Sequence, residues 1–133
     1  VEAPVVENAT PDVSEANYQI VRDALRGVAT EPCDVSNDFS RYDFTFAAKT
    51  GTAEVAGKQD FAWFACYAPY EDPRFALALC IEEGGSGGAV ASPVAARVMK
   101  AAIDYSNGVT IDYEKISVGT PGKTQQAGGE SNE

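Results

Sequence analysis

YDFTFAAKTGTAEV (residues 42–55), FAWFACYAP (61–69) and RFALALCIE (74–82) are three short runs dense in aromatic and small apolar residues, and they decide the fold. The connectors AGKQD and YEDP have turn composition, so the runs are expected to be three antiparallel strands in a meander. The second and third runs are apolar at nearly every position, and a strand reads that way when both faces of its sheet are covered. A turn centred on Glu71 and Asp72 sets Cys66 opposite Leu77, leaving Cys80 about 10 Å further along. A disulfide needs Cα atoms within about 7 Å, so both thiols are expected to stay reduced.

Working outward, Ser14 is placed to cap a helix in which Ile20, Val21, Ala24, Leu25 and Val28 recur at three- and four-residue spacing. That period predicts an amphipathic helix from Ser14 to about Ala29 with one buried stripe. The segment Thr30 to Arg41, with Pro32 and a polar, acidic run, reads as a surface loop. On the other side, GGSGG (Gly84 to Gly88) reads as a flexible crossover. Ser92 and Pro93 then supply an N-cap and first-turn proline for a second helix through Val94, Val98, Met99, Ala102 and Ile103, closing at Asn107-Gly108. Val1 to Asp12 is extended in character, VTIDYEKISV (109–118) is a further extended stretch, and residues 108–133 form a polar tail. The expected class is α/β of the α+β type: a three-stranded antiparallel sheet with the two helices packed together on one face.

Composition removes whole classes of function. Acidic residues outnumber basic ones 20 to 10, for a net charge of -10. This argues against nucleic acid, whose phosphates need clustered Lys and Arg, and against attraction to an anionic membrane surface. There is no histidine, which excludes Ser/His/Asp and Cys/His nucleophile pairs and His-ligated zinc. Three widely spaced cysteines with no C-x-x-C indicate neither a zinc knuckle nor a disulfide framework. Gly51 to Lys58 has the wrong glycine spacing for a phosphate loop and puts Gln59 where Ser or Thr must hold magnesium. Glu82 and Glu83, as strand neighbours, point to opposite faces and form no carboxylate pair.

One constellation carries chemistry: Lys49-Thr50-Gly51-Thr52 in the first run. A lone K-T-G is weak, but here A-K-T-G-T-A is followed by AWF-x-x-YAP, then P-x-x-A-L-A-L-x-I-E, then a double-glycine loop and A-S-P-V-A-A-R-V-M. That order, over about Val5 to Ile103, resembles the C-terminal end of the transpeptidase domain of class B penicillin-binding proteins, and most of all the cell-elongation type that determines cell shape. K-T-G is one of three signatures of such enzymes, with S-x-x-K and S-x-N. No serine in this sequence has a lysine three places on, and Tyr105-Ser106-Asn107 follows K-T-G where the family's second motif precedes it. Residues 1–107 are therefore expected to be the C-terminal portion of a longer transpeptidase domain, inert alone.

The resemblance implies a parent D,D-transpeptidase at the extracytoplasmic face of the bacterial cytoplasmic membrane. It cross-links peptidoglycan stem peptides through a serine acyl-enzyme, is the target of β-lactam antibiotics, and uses no cofactor or metal. It also implies roles: Lys49 supplies positive charge beside the nucleophile and the substrate carboxylate, and the hydroxyls of Thr50 and Thr52 hydrogen-bond that carboxylate. The Thr52 backbone N–H is one oxyanion-hole donor, and Gly51 leaves room for a substrate backbone against the strand. The family usually has glycine before the lysine; Ala48 stands there, its methyl either absorbed in the core or narrowing the groove. The partners implied are the stem peptide or a β-lactam and the rest of the domain. Rival readings on the same fold are a β-lactam sensor or binding module and a β-lactamase. With a strand edge and an apolar face uncovered, the chain is expected to self-associate, most simply as a homodimer.

Overall fold

The computed structural model describes residues 12–111. Helix α1 spans Glu15–Thr30 and opens as the sequence predicts, the Ser14 hydroxyl accepting the Asn17 N–H at 3.3 Å. Such a cap contributes about 1 kcal/mol. The segment read as a surface loop holds a second helix, α2, Asp34–Phe39. Its polar composition hides an apolar pair four residues apart, Val35 and Phe39, both buried. Its start is tied by the Cys33 N–H, which donates to the Ser36 hydroxyl at 3.0 Å. Phe39 stacks on Phe46 with ring centroids 3.9 Å apart and reaches Phe64 at 5.9 Å.

The three expected strands are present as β1 (Ala47–Ala53), β2 (Phe61–Ala68) and β3 (Phe75–Ile81), antiparallel in the order β1-β2-β3. Register follows the turns: Cys66 lies opposite Leu77, and all three cysteines are free. Because side chains alternate, the sheet has two faces with different fates. One carries Ala48, Ala62, Phe64, Cys66 and Ala68, all buried, with Phe75, Leu77, Leu79 and Ile81 packed beside them. Burying Phe64 alone contributes on the order of 2 kcal/mol.

That face is covered by α3, Ser92–Ser106, through Ala95, Ala96 and Met99, and by α2. A π-helical turn, Gly87–Ala91, leads directly into α3. Ser92 is therefore inside the helix and does not cap it; the capping hydroxyl is Ser86, which accepts the Ala89 N–H at 3.3 Å. The helix closes at Asn107, as expected.

The two long helices do not pack together on one face. α1 meets β1 and α2, and α2 stands between it and α3. No residue of α1 is fully buried, and Ile20 and Val21, expected in the buried stripe, are 65% and 57% exposed. Leu25, Val28 and Ala29 are half-buried, the last two packed against the core cluster, and polar contacts fasten the helix further. Arg26 donates to the Phe46 carbonyl at 2.8 Å and Arg22 to that of Tyr70 at 2.9 Å. Both guanidiniums lie over the Tyr70 ring, whose hydroxyl donates to Asp23 at 2.8 Å. Val1 to Asp12 up to residue 11, and the extended stretch and tail from residue 112 on, lie outside the described residues.

Candidate functional site

Strand β1 brings Lys49, Thr50, Gly51 and Thr52 to the outer edge of the sheet, since it pairs on one side only among the described residues. Alternation divides their side chains. Lys49 and Gly51 lie on the face that α3 does not cover, opposite Ala65 and Trp63. Thr50 and Thr52 lie on the other face, opposite Phe64 and Ala62, and Thr50 is met there by the crossover before α3.

Gly51 is enclosed from both sides. A Cβ added to it would sit 3.1 Å from the Trp63 Cβ, so a side chain here would crowd the cross-strand neighbour. Behind it passes Gly87, so close that an added Cβ would fall far inside contact distance of the Gly51 and Trp63 carbonyl oxygens and 3.1 Å from Gly51 N. These three backbone atoms converge between β1 and β2, so Gly51 turns its backbone groups toward β2. In an antiparallel pair the next residues on either side turn theirs the opposite way. Thr50 and Thr52 thus present backbone groups at the free edge, and the Lys49 ammonium donates to the Thr50 carbonyl there at 2.6 Å. Within the crossover read as flexible, Gly84 and Gly87 are closely packed.

Ala48 is 2% exposed and belongs to the core cluster, which decides its methyl: it is absorbed and does not narrow any groove. On the uncovered face a groove of about 500 Å³ runs beneath Leu25 and is lined by Ala47, Lys49, Ala65, Tyr67 and Ala78. Trp63 stands beside it, 45% exposed. From the sequence Trp63 reads as either a core or a groove-lining aromatic and Gly87 only as part of the crossover; pairing register and the path of the crossover bring them to Gly51. Burial raises the Cys66 thiol to about 12, which keeps it protonated and inert. Among the described residues no group of His, Cys, Asp or Glu gathers where it could hold a metal ion. Nor, among them, is any helix long and apolar enough to cross a membrane.

The sequence pattern of the penicillin binding protein transpeptidase domain matches residues 3–100. The peptidoglycan D,D-transpeptidase MrdA of Escherichia coli strain K12 is 30% identical over 95 residues, which are 59% of this chain and 15% of MrdA. The D,D-transpeptidase PbpA of Mycolicibacterium smegmatis is 38% identical over 66 residues, 43% of this chain and 13% of PbpA. Among solved structures, Pseudomonas aeruginosa PBP2 in complex with WCK 5153 superposes with a TM-score of 0.65 at 29% identity, covering 86% of this chain and 26% of that one. The imipenem acyl-enzyme of Mycobacterium tuberculosis penicillin-binding protein A gives a TM-score of 0.58 at 27% identity, over 68% of this chain and 20% of that one. The chain spans 17% of the Salmonella typhimurium MrdA that it also matches. With a family pattern running through α1, the three strands and most of α3, this chain belongs to the transpeptidase domain family of the class B penicillin-binding proteins.

Proposed function

We propose that this chain supplies one wall of the acyl-transfer site of a D,D-transpeptidase that cross-links peptidoglycan stem peptides and is acylated by β-lactams. The observation that carries the reading is the placement of Lys49 to Thr52 on the free edge of β1, with Gly51 committed to β2. On this reading Lys49 sets positive charge beside the nucleophile and the substrate carboxylate, and the Thr50 and Thr52 hydroxyls hold that carboxylate. The Thr52 N–H, on the outward side of the strand, donates to the developing oxyanion. One such donor is worth about 10² to 10³ in rate.

The nucleophile comes from an S-x-x-K segment, which these 133 residues do not contain. The apolar groove beside Lys49 and the exposed Trp63 give that part of the enzyme a face to lie on. MrdA-like matches support the elongation type, working at the extracytoplasmic face of the membrane. The test has two arms. The chain alone, incubated with excess penicillin, is expected to gain no mass, because acylation needs a serine and its activating lysine; a stoichiometric adduct abolished by denaturation would overturn the division of the site. In a transpeptidase carrying this segment, Lys49→Ala is expected to lower the acylation rate by about 10²-fold or more with the fold intact. An unchanged rate removes Lys49 from the site.

A further inference from the structure

We propose that Gly87 is a positioning residue for the Lys49–Thr52 wall: the π-helical turn clamps the rear of β1, and the absence of a side chain at 87 sets where the strand's outer edge stands. The proposal rests on the transpeptidase reading for its functional meaning, but its geometry stands apart from it. Gly51 and Trp63 are paired across β1 and β2 and send their side-chain directions to the uncovered face. On the other face that pair is bare backbone between the Thr50–Phe64 and Thr52–Ala62 pairs, and Gly87, itself buried, lies on it.

The glycines of the crossover are not alike. An added Cβ at Gly88 would meet only the Thr50 methyl at 3.9 Å and the Ser86 hydroxyl at 4.0 Å, which is ordinary contact. At Gly85 it would find only the Gln59 side chain, at 3.7 Å, though the backbone is left-handed with φ +74. At Gly87 it would strike the Gly51 and Trp63 carbonyls, and backbone cannot swing aside as a side-chain tip can. Carbon meets a carbonyl oxygen at about 3.3 Å, so relieving the clash takes a shift on the order of 1 Å between the turn and the strand. A displacement of that size at a reacting centre costs about 10²-fold in rate.

The three substitutions therefore separate position from stability. In the isotopically labelled 133-residue chain, Gly87→Ala is expected to move the amide resonances of Thr50, Gly51, Thr52 and Trp63 and to speed exchange of the Gly51 amide at least tenfold beyond any loss of global stability. Gly85→Ala is expected to lower the urea midpoint while leaving those resonances in place, and Gly88→Ala to change neither. Trp63, the chain's single tryptophan, gives an independent fluorescence signal at the same point. Wild-type resonances at Thr50 to Thr52 in Gly87→Ala, or equal shifts in Gly88→Ala, overturn the proposal. Should Gly87→Ala not fold, native-state exchange of the wild-type chain decides: the Gly51 and Trp63 amides are expected to open together with Val90 and Ala91 of the turn, and independent opening refutes the clamp. None of these readouts involves a β-lactam, so they fail or succeed separately from the transpeptidase assignment.

Discussion

The two faces of the sheet are made by alternate residues of the same strands, yet they meet different surroundings. Phe64 is 1% exposed beneath α3, while its neighbour Trp63 is 45% exposed. Both faces are apolar in sequence: the covered one is built from Phe64, Cys66 and Leu79, the uncovered one from Trp63, Ala65, Ala76 and Ala78. Large side chains interdigitate with helices and hold the fold together. On the other face alanines and one lysine line a groove, with Trp63 standing beside it. The covered face thus holds most of the buried core, and the other holds little of it.

The sharpest break of this comparison is a pair of truncations. Phe64→Ala is expected to cost about 3–5 kcal/mol in urea denaturation, as for other buried aromatics. Trp63→Ala should cost about 1 kcal/mol or less. Equal losses would show that the uncovered face is already packed in the isolated chain.

A second test uses pH. Burial on the covered face holds the Cys66 thiol near 12, against an ordinary 9.0. With the folded value raised, the stabilisation is complete below pH 9 and is lost as pH climbs toward 12, because the unfolded chain ionises first. Wild type should therefore lose on the order of 1 kcal/mol per pH unit over that window relative to Cys66→Ala. Parallel curves would place Cys66 in contact with water. In the same series an alkylating reagent is expected to modify the exposed Cys33 first and Cys66 only on unfolding.

Sedimentation equilibrium sharpens the comparison from the other side. The uncovered face and the edges of β1 and β3, unpaired among the described residues, are expected to drive self-association at tens of micromolar, opposed by the charge of -10. A monomer with a steep, cooperative urea transition would mean that the uncovered face needs no partner. The smallest effect concerns Ser92, whose buried hydroxyl has no hydrogen-bond partner among the described residues. Ser92→Ala removes an unsatisfied group within the covered layer and is expected to be neutral or stabilising by about 1 kcal/mol. A loss above that would reveal a partner for the hydroxyl.

How far such features can be read in advance depends on how local they are. The strands, the Cys66–Leu77 register and the Ser14 cap follow from short-range pattern and turn length, and they are found in place. Helix α2 was hidden because an acidic, serine-rich composition outweighed the four-residue spacing of Val35 and Phe39. The stripe of α1 is covered at Leu25 and Val28 and left in water at Ile20 and Val21, because periodicity reports which side of a helix is apolar and not how far along it the cover extends. Ser92 resembled a cap because nothing in GGAVA announces a π-helical turn running into α3. Lys49 to Thr52 stood out through their spacing from later runs. Trp63 and Gly87 did not, since their place beside Gly51 depends on contacts between residues far apart in sequence.

The Tyr70 clasp on α1 has a thermodynamic consequence. Two guanidinium-to-carbonyl bonds, and a ring held between arginines and Asp23, secure the middle of α1; Leu25, Val28 and Ala29 beyond it are half-buried, whereas Tyr18, Ile20 and Val21 before it stand in water. Opening the stretch from Glu15 to Val21 therefore exposes little new hydrocarbon and changes the heat capacity only slightly. That first half of α1 is thus set to fray before the sheet and α3 melt, while the edge that bears Lys49 is still in its strand.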